Sequence, residues 1–117
     1  MNEITITASL SFSKDGKTAS LAQAPTRFTM TGGDYAEGTL TASTDEANLV
    51  LPGTNTEGWC LIKNLSATID IFLGVAGGSH NVKVPANGVA LFAHGSAALS
   101  YKTTSSTAEF QYLLLEL

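Results

Sequence analysis

Few residues in this 117-residue chain could move a proton, hold a metal or attack a substrate: His80, His94, Cys60 and ten scattered carboxylates. A transition-metal site needs several nitrogen, oxygen or sulfur ligands converging, and no His-x-His or His-x-x-x-His spacing is present. A lone histidine beside a glycine-containing turn, as His80 and His94 both are, is expected at the surface. Cys60 sits between Trp59 and Leu61, and a thiol among apolar neighbours stays protonated and inert. One cysteine closes no internal disulfide. No Gly-x-Ser-x-Gly elbow occurs, and Gly77-Gly78-Ser79-His80 lacks the lysine and following helix of a phosphate cradle. No two acids stand out as a glycosidase pair. The sequence therefore predicts no catalytic residue, no cofactor, no metal, and a protein that is not an enzyme.

Charge narrows the partners. Charged residues make up 14% of the chain, against about 25% in soluble domains. Net charge is −4, and the six basic residues, Lys14, Lys17, Arg27, Lys63, Lys83 and Lys102, are dispersed. Binding a phosphate backbone needs a basic stripe that releases counterions, so no nucleic-acid partner is expected. No apolar run approaches the roughly 18–20 residues of a membrane span, and "MNEITITASL" lacks a basic segment followed by an apolar one. The expectation is a soluble chain made in a cytoplasm.

The elements that must position these residues read as strands. In "EITITASLSFS", Ile4, Ile6, Ala8, Leu10 and Phe12 alternate with Thr and Ser, the period of a half-buried strand. "KDGK" at 14–17 supplies a turn in which Gly16 takes positive φ. "TASLAQAP" is ambiguous, with Pro25 biasing Ala24 towards extended backbone. Further strand candidates are "TRFTMT", "GTLTAS", Asn48–Leu51, "GWCLIKN", "TIDIFLGV", "HNVKV", "VALFA", "AALSYK" and "EFQYLLLEL". Turn signals every 8–12 residues separate them, among them "PANG" at 85–88, whose Asn87-Gly88 tolerates left-handed backbone. This pattern predicts one all-β domain over residues 1–117, an antiparallel β-sandwich or jelly-roll-like barrel of about eight short strands.

"GWCLIKNLSATIDIFLGV", residues 58–75, carries the only tryptophan and the only cysteine. Read as a hairpin around "LSA", it pairs Ile62 with Ile71, sets Lys63 opposite Asp70, and turns Cys60 inward against Leu73. Its other face then carries Trp59, Leu61 and Phe72, too apolar to be left in water. A crossing loop or a neighbouring subunit would have to cover it.

The same stretch, followed by "VKVPANGVALFAHGSAALSYKTTSSTAEFQYLLLEL", resembles a pattern in small structural proteins of tailed bacteriophages. The matching positions are Gly58, Trp59, Ile62, Asn64, Leu65, Gly74, Pro85 and Gly88, and the likeness covers most of residues 30–117. Ser66 and Ile69 depart from the Asp and Asn of that pattern. The resemblance implies a virion component, either a capsid decoration (cement) protein bridging major capsid protein subunits or a tail- or fibre-associated piece. It also implies a homo-oligomer, commonly a trimer. Trp59, Leu61, Phe72, Tyr112 and Leu114 are the candidate interface, the alternative being that all belong to the monomer core. A carbohydrate-binding sandwich is the competing role, with Tyr35 as its loop-borne aromatic. "HNVKVPANG" is also similar to a cupin turn, but the cupin histidine cluster and glutamate are absent.

Overall fold

In the computed structural model the described residues are 3–30, 33, 35–49, 57–93 and 99–116, and they form ten strands. The chain divides into two compact units, residues 1–31 and 32–117.

The first unit is a two-stranded antiparallel hairpin of β1 (Ile4–Lys14) and β2 (Lys17–Phe28). Asp15 and Gly16 have φ of 52° and 75°, so the two-residue loop is of the type I′ kind that matches strand twist. The ambiguous "TASLAQAP" is strand. Its proline is absorbed by a bulge, because pairing runs Ile6 with Thr26 and then Ala8 with Gln23, leaving Ala24 and Pro25 opposite Thr7. A residue with no N–H to give belongs at such a site.

The second unit holds eight strands: β3 (Tyr35–Ala42), β4 (Ala47–Leu49), β5 (Glu57–Asn64), β6 (Ile71–Val75), β7 (Val82–Val84), β8 (Val89–Ala93), β9 (Leu99–Lys102) and β10 (Ala108–Glu116). They form two sheets, ordered β3-β10-β5-β8 and β4-β9-β6-β7. Strand β3 pairs with β10, β4 with β9, β5 with β8 and β6 with β7, all antiparallel. That is one long ribbon, β3 to β6 running out and β7 to β10 running back, rolled so that successive ribbon segments alternate between sheets. It is the jelly-roll order of a β-sandwich, and the barrel is not closed.

Alternation decides what the sandwich encloses. Ala42, Cys60, Ile62, Phe110 and Leu114 from one sheet meet Leu49, Ile71, Leu73, Val84, Leu99 and Tyr101 from the other. Tyr101 and Phe110 join the sheets edge to face, with centroids 4.8 Å apart. Each such side chain contributes about 1.5–3 kcal/mol by leaving water.

The expected hairpin of β5 with β6 does not form. Strand β5 lies between β10 and β8, β6 lies between β9 and β7, and the intervening residues carry the chain from one sheet to the other. Lys63 stands beside Gln111 and Val89, and the partner of Asp70 is Lys83 at 3.5 Å. Period-two alternation is the same for two strands that pair and two strands that face each other across a core. Cys60 and Leu73 do both point into that core, but from opposite sheets.

Candidate functional site

The five candidate interface residues fall in three places. Trp59 and Leu61 lie on the outer face of the β3-β10-β5-β8 sheet, half-buried and 39% exposed respectively. Phe72 lies on the outer face of the other sheet, in register with Lys83 on one side and Lys102 on the other. Tyr112 and Leu114 point inward: Leu114 is fully buried, and Tyr112 packs on the core beside Phe110. The grouping of Trp59, Leu61 and Phe72 on one face is therefore corrected, because it depended on the hairpin that does not form. Leu114 belongs to the core of this chain.

Register shows what surrounds Leu61. It lies between Leu113 of β10 and Leu91 of β8, and Leu113 is followed by Glu37 of β3. One row along, Lys63 lies between Gln111 and Val89. In the other direction Trp59 is opposite Ala93, and Leu115 is opposite Tyr35. The outer face of this sheet thus carries Tyr35, Trp59, Leu61, Val89, Leu91, Leu113 and Leu115, with Lys63 and Gln111 towards one end and Glu37 at the β3 edge of the Leu61 row. Leu61, Val89, Leu113 and Tyr35 are exposed. At the polar end a shallow depression of about 490 Å³ is lined by Glu37, Thr39, Leu61, Lys63, Gln111 and Leu113.

His80 is the reverse of its expectation. Its side chain is 2% exposed, folded beneath the loop that joins β6 to β7. Nδ1 is 3.0 Å from the Gly78 carbonyl, which only accepts, so Nδ1 carries a proton. Nε2 lies 2.9 Å from Ser100 Oγ and 3.2 Å from Glu46 Oε1. With the ring neutral, the Ser100 hydroxyl donates to Nε2; with the ring charged, Nε2 donates to Glu46. Both oxygens of Glu46 also accept from the Gly77 N–H at 3.0 Å. The side-chain types are those of a hydrolytic triad, but the wiring is not. There the acid holds one ring nitrogen and the serine the other, with the serine open to substrate. Here both meet Nε2, and Ser100 is fully buried. The group ties β4, β9 and the 76–81 loop together.

Gly74 explains why that loop sits so low. A Cβ built there would lie 2.1 Å from the Ser79 carbonyl oxygen and 2.7 Å from His80 Cα, so only glycine lets the chain cross.

Asn64 is a second polar hub and is 1% exposed. Nδ2 donates to the carbonyls of Ile69 at 2.8 Å, Val84 at 3.1 Å and Pro85 at 3.2 Å, while Oδ1 accepts from Ser66 N–H at 2.9 Å. Its own N–H donates to the Gly88 carbonyl at 2.9 Å. The turn it meets is closed by Gly88 N–H on Pro85 O at 2.7 Å, with Asn87 at φ 62°. Ser66, one of the departures from the phage-like pattern, still organises its loop: its Oγ accepts from Thr68 and Ile69 N–H at 3.3 and 3.0 Å. Asn64, Gly74, Pro85 and Gly88 are thus residues of architecture, fixing crossings between sheets.

Cys60 is fully buried, and burial pushes its thiol up to about 12, where it is neither nucleophile nor ligand. Among the described residues no three of His, Cys, Asp and Glu gather to hold a metal. His94 lies outside the described residues. Sequence reasoning missed Leu91 and Val89 on the face of Leu61, and within the C-terminal "QYLLLEL" it singled out Tyr112 and Leu114 where Leu113 and Leu115 face outward. The run Leu113-Leu114-Leu115 hides parity, and only the pairing of β10 with β5 reveals which leucines face out. No protein-family model matches the chain, and no curated protein matches it.

Proposed function

We propose that this chain is a non-enzymatic structural protein of a bacteriophage virion, a capsid decoration protein that binds the head shell and stabilises it. The observation that carries the reading is the apolar outer face of the β3-β10-β5-β8 sheet, on which Leu61, Val89 and Leu113 are exposed. Leu61, Leu91, Leu113, Val89 and Trp59 adjoin one another there, on a rigid wall with a polar rim at one end. Apolar centres edged by polar groups are what protein interfaces bury. The buried polar groups of His80, Ser100 and Asn64 are engaged with one another or with backbone, which leaves them as struts instead of reagents. The phage-like spacing of Gly58, Trp59, Asn64, Gly74, Pro85 and Gly88 supplies the virion context.

The test is fractionation of virions made from the genome that encodes the chain, with heads and tails probed separately by an antibody to it. The decoration reading expects stoichiometric signal in heads. Signal in tails selects a tail-associated role, and absence from both overturns the virion reading. A carbohydrate-binding role has one observation in its favour: Tyr35 is 55% exposed on the same outer face as the polar depression. Glycan-array binding that disappears in Tyr35→Ala would select it.

A further inference from the structure

The backbone of β8 points to a docking site for a further strand: we infer that its free edge receives an extended, uncharged segment of the shell protein, which continues the β3-β10-β5-β8 sheet by one strand. The inference rests on the decoration reading and names how the partner of that face is gripped. Strand β8 ends the sheet, and among the described residues of the second unit nothing pairs with its far side. The bonding pattern fixes which groups are left there. Asn64 N–H donates to the Gly88 carbonyl at 2.9 Å, one step beyond the Lys63–Val89 pair. Backbone groups of an antiparallel strand point alternately to either side, so Ala90 and Phe92 turn theirs to β5. The N–H and C=O of Val89, Leu91 and Ala93 then point away from it. The same parity holds one strand over, where Leu65 N–H donates to the Glu109 carbonyl and puts Lys63 and Leu61 on the β10 side. A row of alternating donors and acceptors fits one ligand, another extended backbone.

Three observations single out this edge and its occupant. First, it is the unguarded edge of the two sandwich sheets. Strands β4 and β7 have three residues each, with Lys83 at the centre of β7, and β3 carries Glu37 and Gly38. Strand β8 has five residues, with no charge, glycine or proline among them, the composition that accepts a neighbour. Second, the core is open here. Cys60 and Ile62 of β5 are fully buried, whereas Phe92 and Ala90, which pair with them and face the same way, are half-buried. An added strand with apolar residues at alternate positions covers both. Third, the area selects a partner that is also seated elsewhere. At about 3.4 Å per residue and a sheet depth of about 10 Å, the edge offers about 170 Å². Two such edges remove about 340 Å², against the roughly 1,200 Å² of a stable complex, so pairing of two copies through β8 alone is too small to last. Val89 and Leu91 belong both to this edge and to the outer face that meets the shell, so a partner held on that face delivers its strand to β8 at high local concentration.

The experiment is amide hydrogen exchange of the full chain, free and bound to purified phage heads that lack it, quenched and read residue by residue. In the free chain Val89, Leu91 and Ala93 are expected to exchange at least about 100-fold faster than Ala90 and Phe92. On the heads those three are expected to slow by about 100-fold or more. Leu91→Pro removes one outward N–H and no bond to β5, whereas Leu91→Ala trims the side chain and keeps the N–H. Leu91→Ala is expected to bind heads at least about tenfold more tightly than Leu91→Pro. In case Leu91→Pro misfolds, the wild-type exchange decides alone. Wild-type chain that binds heads while Val89, Leu91 and Ala93 keep their free rates overturns the inference and leaves the decoration reading standing, as does equal binding by the two variants. Protection of those amides in the free chain that rises with its concentration assigns the edge to a second copy and overturns the inference. Failure of the wild-type chain to bind heads overturns both readings.

Discussion

Replacing Asn64 probes how the two sheets are held. Asn64→Ala removes three donated bonds and one accepted bond from a site that is 1% exposed. The Ile69 and Pro85 carbonyls lie in part-buried bonds and can turn to water. The bond to Val84 is buried, and an abandoned buried polar group costs about 1–3 kcal/mol. Adding the Ser66 N–H and the lost side-chain packing gives about 3–5 kcal/mol, a large share of the roughly 5–15 kcal/mol that holds a domain. Asn64→Asp keeps the volume but aims a carboxylate at three carbonyl oxygens, so it should be worse than alanine at neutral pH. Its folded-state pKa is then raised above the unfolded value of about 3.9. A raised carboxyl contributes its stability below the unfolded pKa and loses it as pH rises through the folded one, so this variant should recover as the solution is acidified. Urea unfolding followed by Trp59, the single tryptophan, reports on the sandwich directly. An Asn64→Ala change below about 1 kcal/mol, or an Asn64→Asp variant with no gain in acid, would refute the hub.

Gly74→Ala should destabilise by at least about 3 kcal/mol, since its Cβ meets backbone at 2.1 Å, whereas Gly33→Ala, with open space around it, should stay within about 0.5 kcal/mol in the same urea assay. Leu114→Ala should cost about 2–5 kcal/mol, while Leu113→Ala, its neighbour on the outer face, should cost under about 1 kcal/mol in the isolated chain. Alkali should weaken the fold. Cys60 keeps its proton to about 12 when folded but loses it from 9.0 when unfolded, so stability is full below 9 and falls by about 1.4 kcal/mol per pH unit above it. Burial and Tyr112 also raise Tyr101, which adds to the loss at higher pH. Cys60→Ala should flatten the first part of that slope in melts between pH 8 and 11.

Strands and turns were legible because each is a local matter. Asp15-Gly16 and Asn87 adopt the left-handed backbone their turns require, and "VALFA" is β8 to the residue. Partners were not legible. "LSA" between two alternating runs reads as a hairpin, yet those residues cross between sheets because Asn64 fastens them to the ends of β6 and β7, and side chains 20 residues apart give no sequence period. His80 misled for the same reason. Its neighbours in sequence are turn residues, while Ser100 and Glu46 reach it only through the fold. Trp59 and Leu61 were correctly separated from Cys60 and Ile62 by parity, but Phe72 was assigned to their face through a pairing that the jelly-roll order forbids.

The most direct test of the account is add-back to purified phage heads that lack the chain, measuring retained protein and the temperature at which the shell opens. Wild-type chain should bind in fixed stoichiometry and raise that temperature, and Leu61→Glu/Leu113→Glu, which charges the outer face without touching the core, should do neither. Equal binding and protection by the variant would contradict the assignment of that face, and no binding by either protein would contradict the decoration role itself.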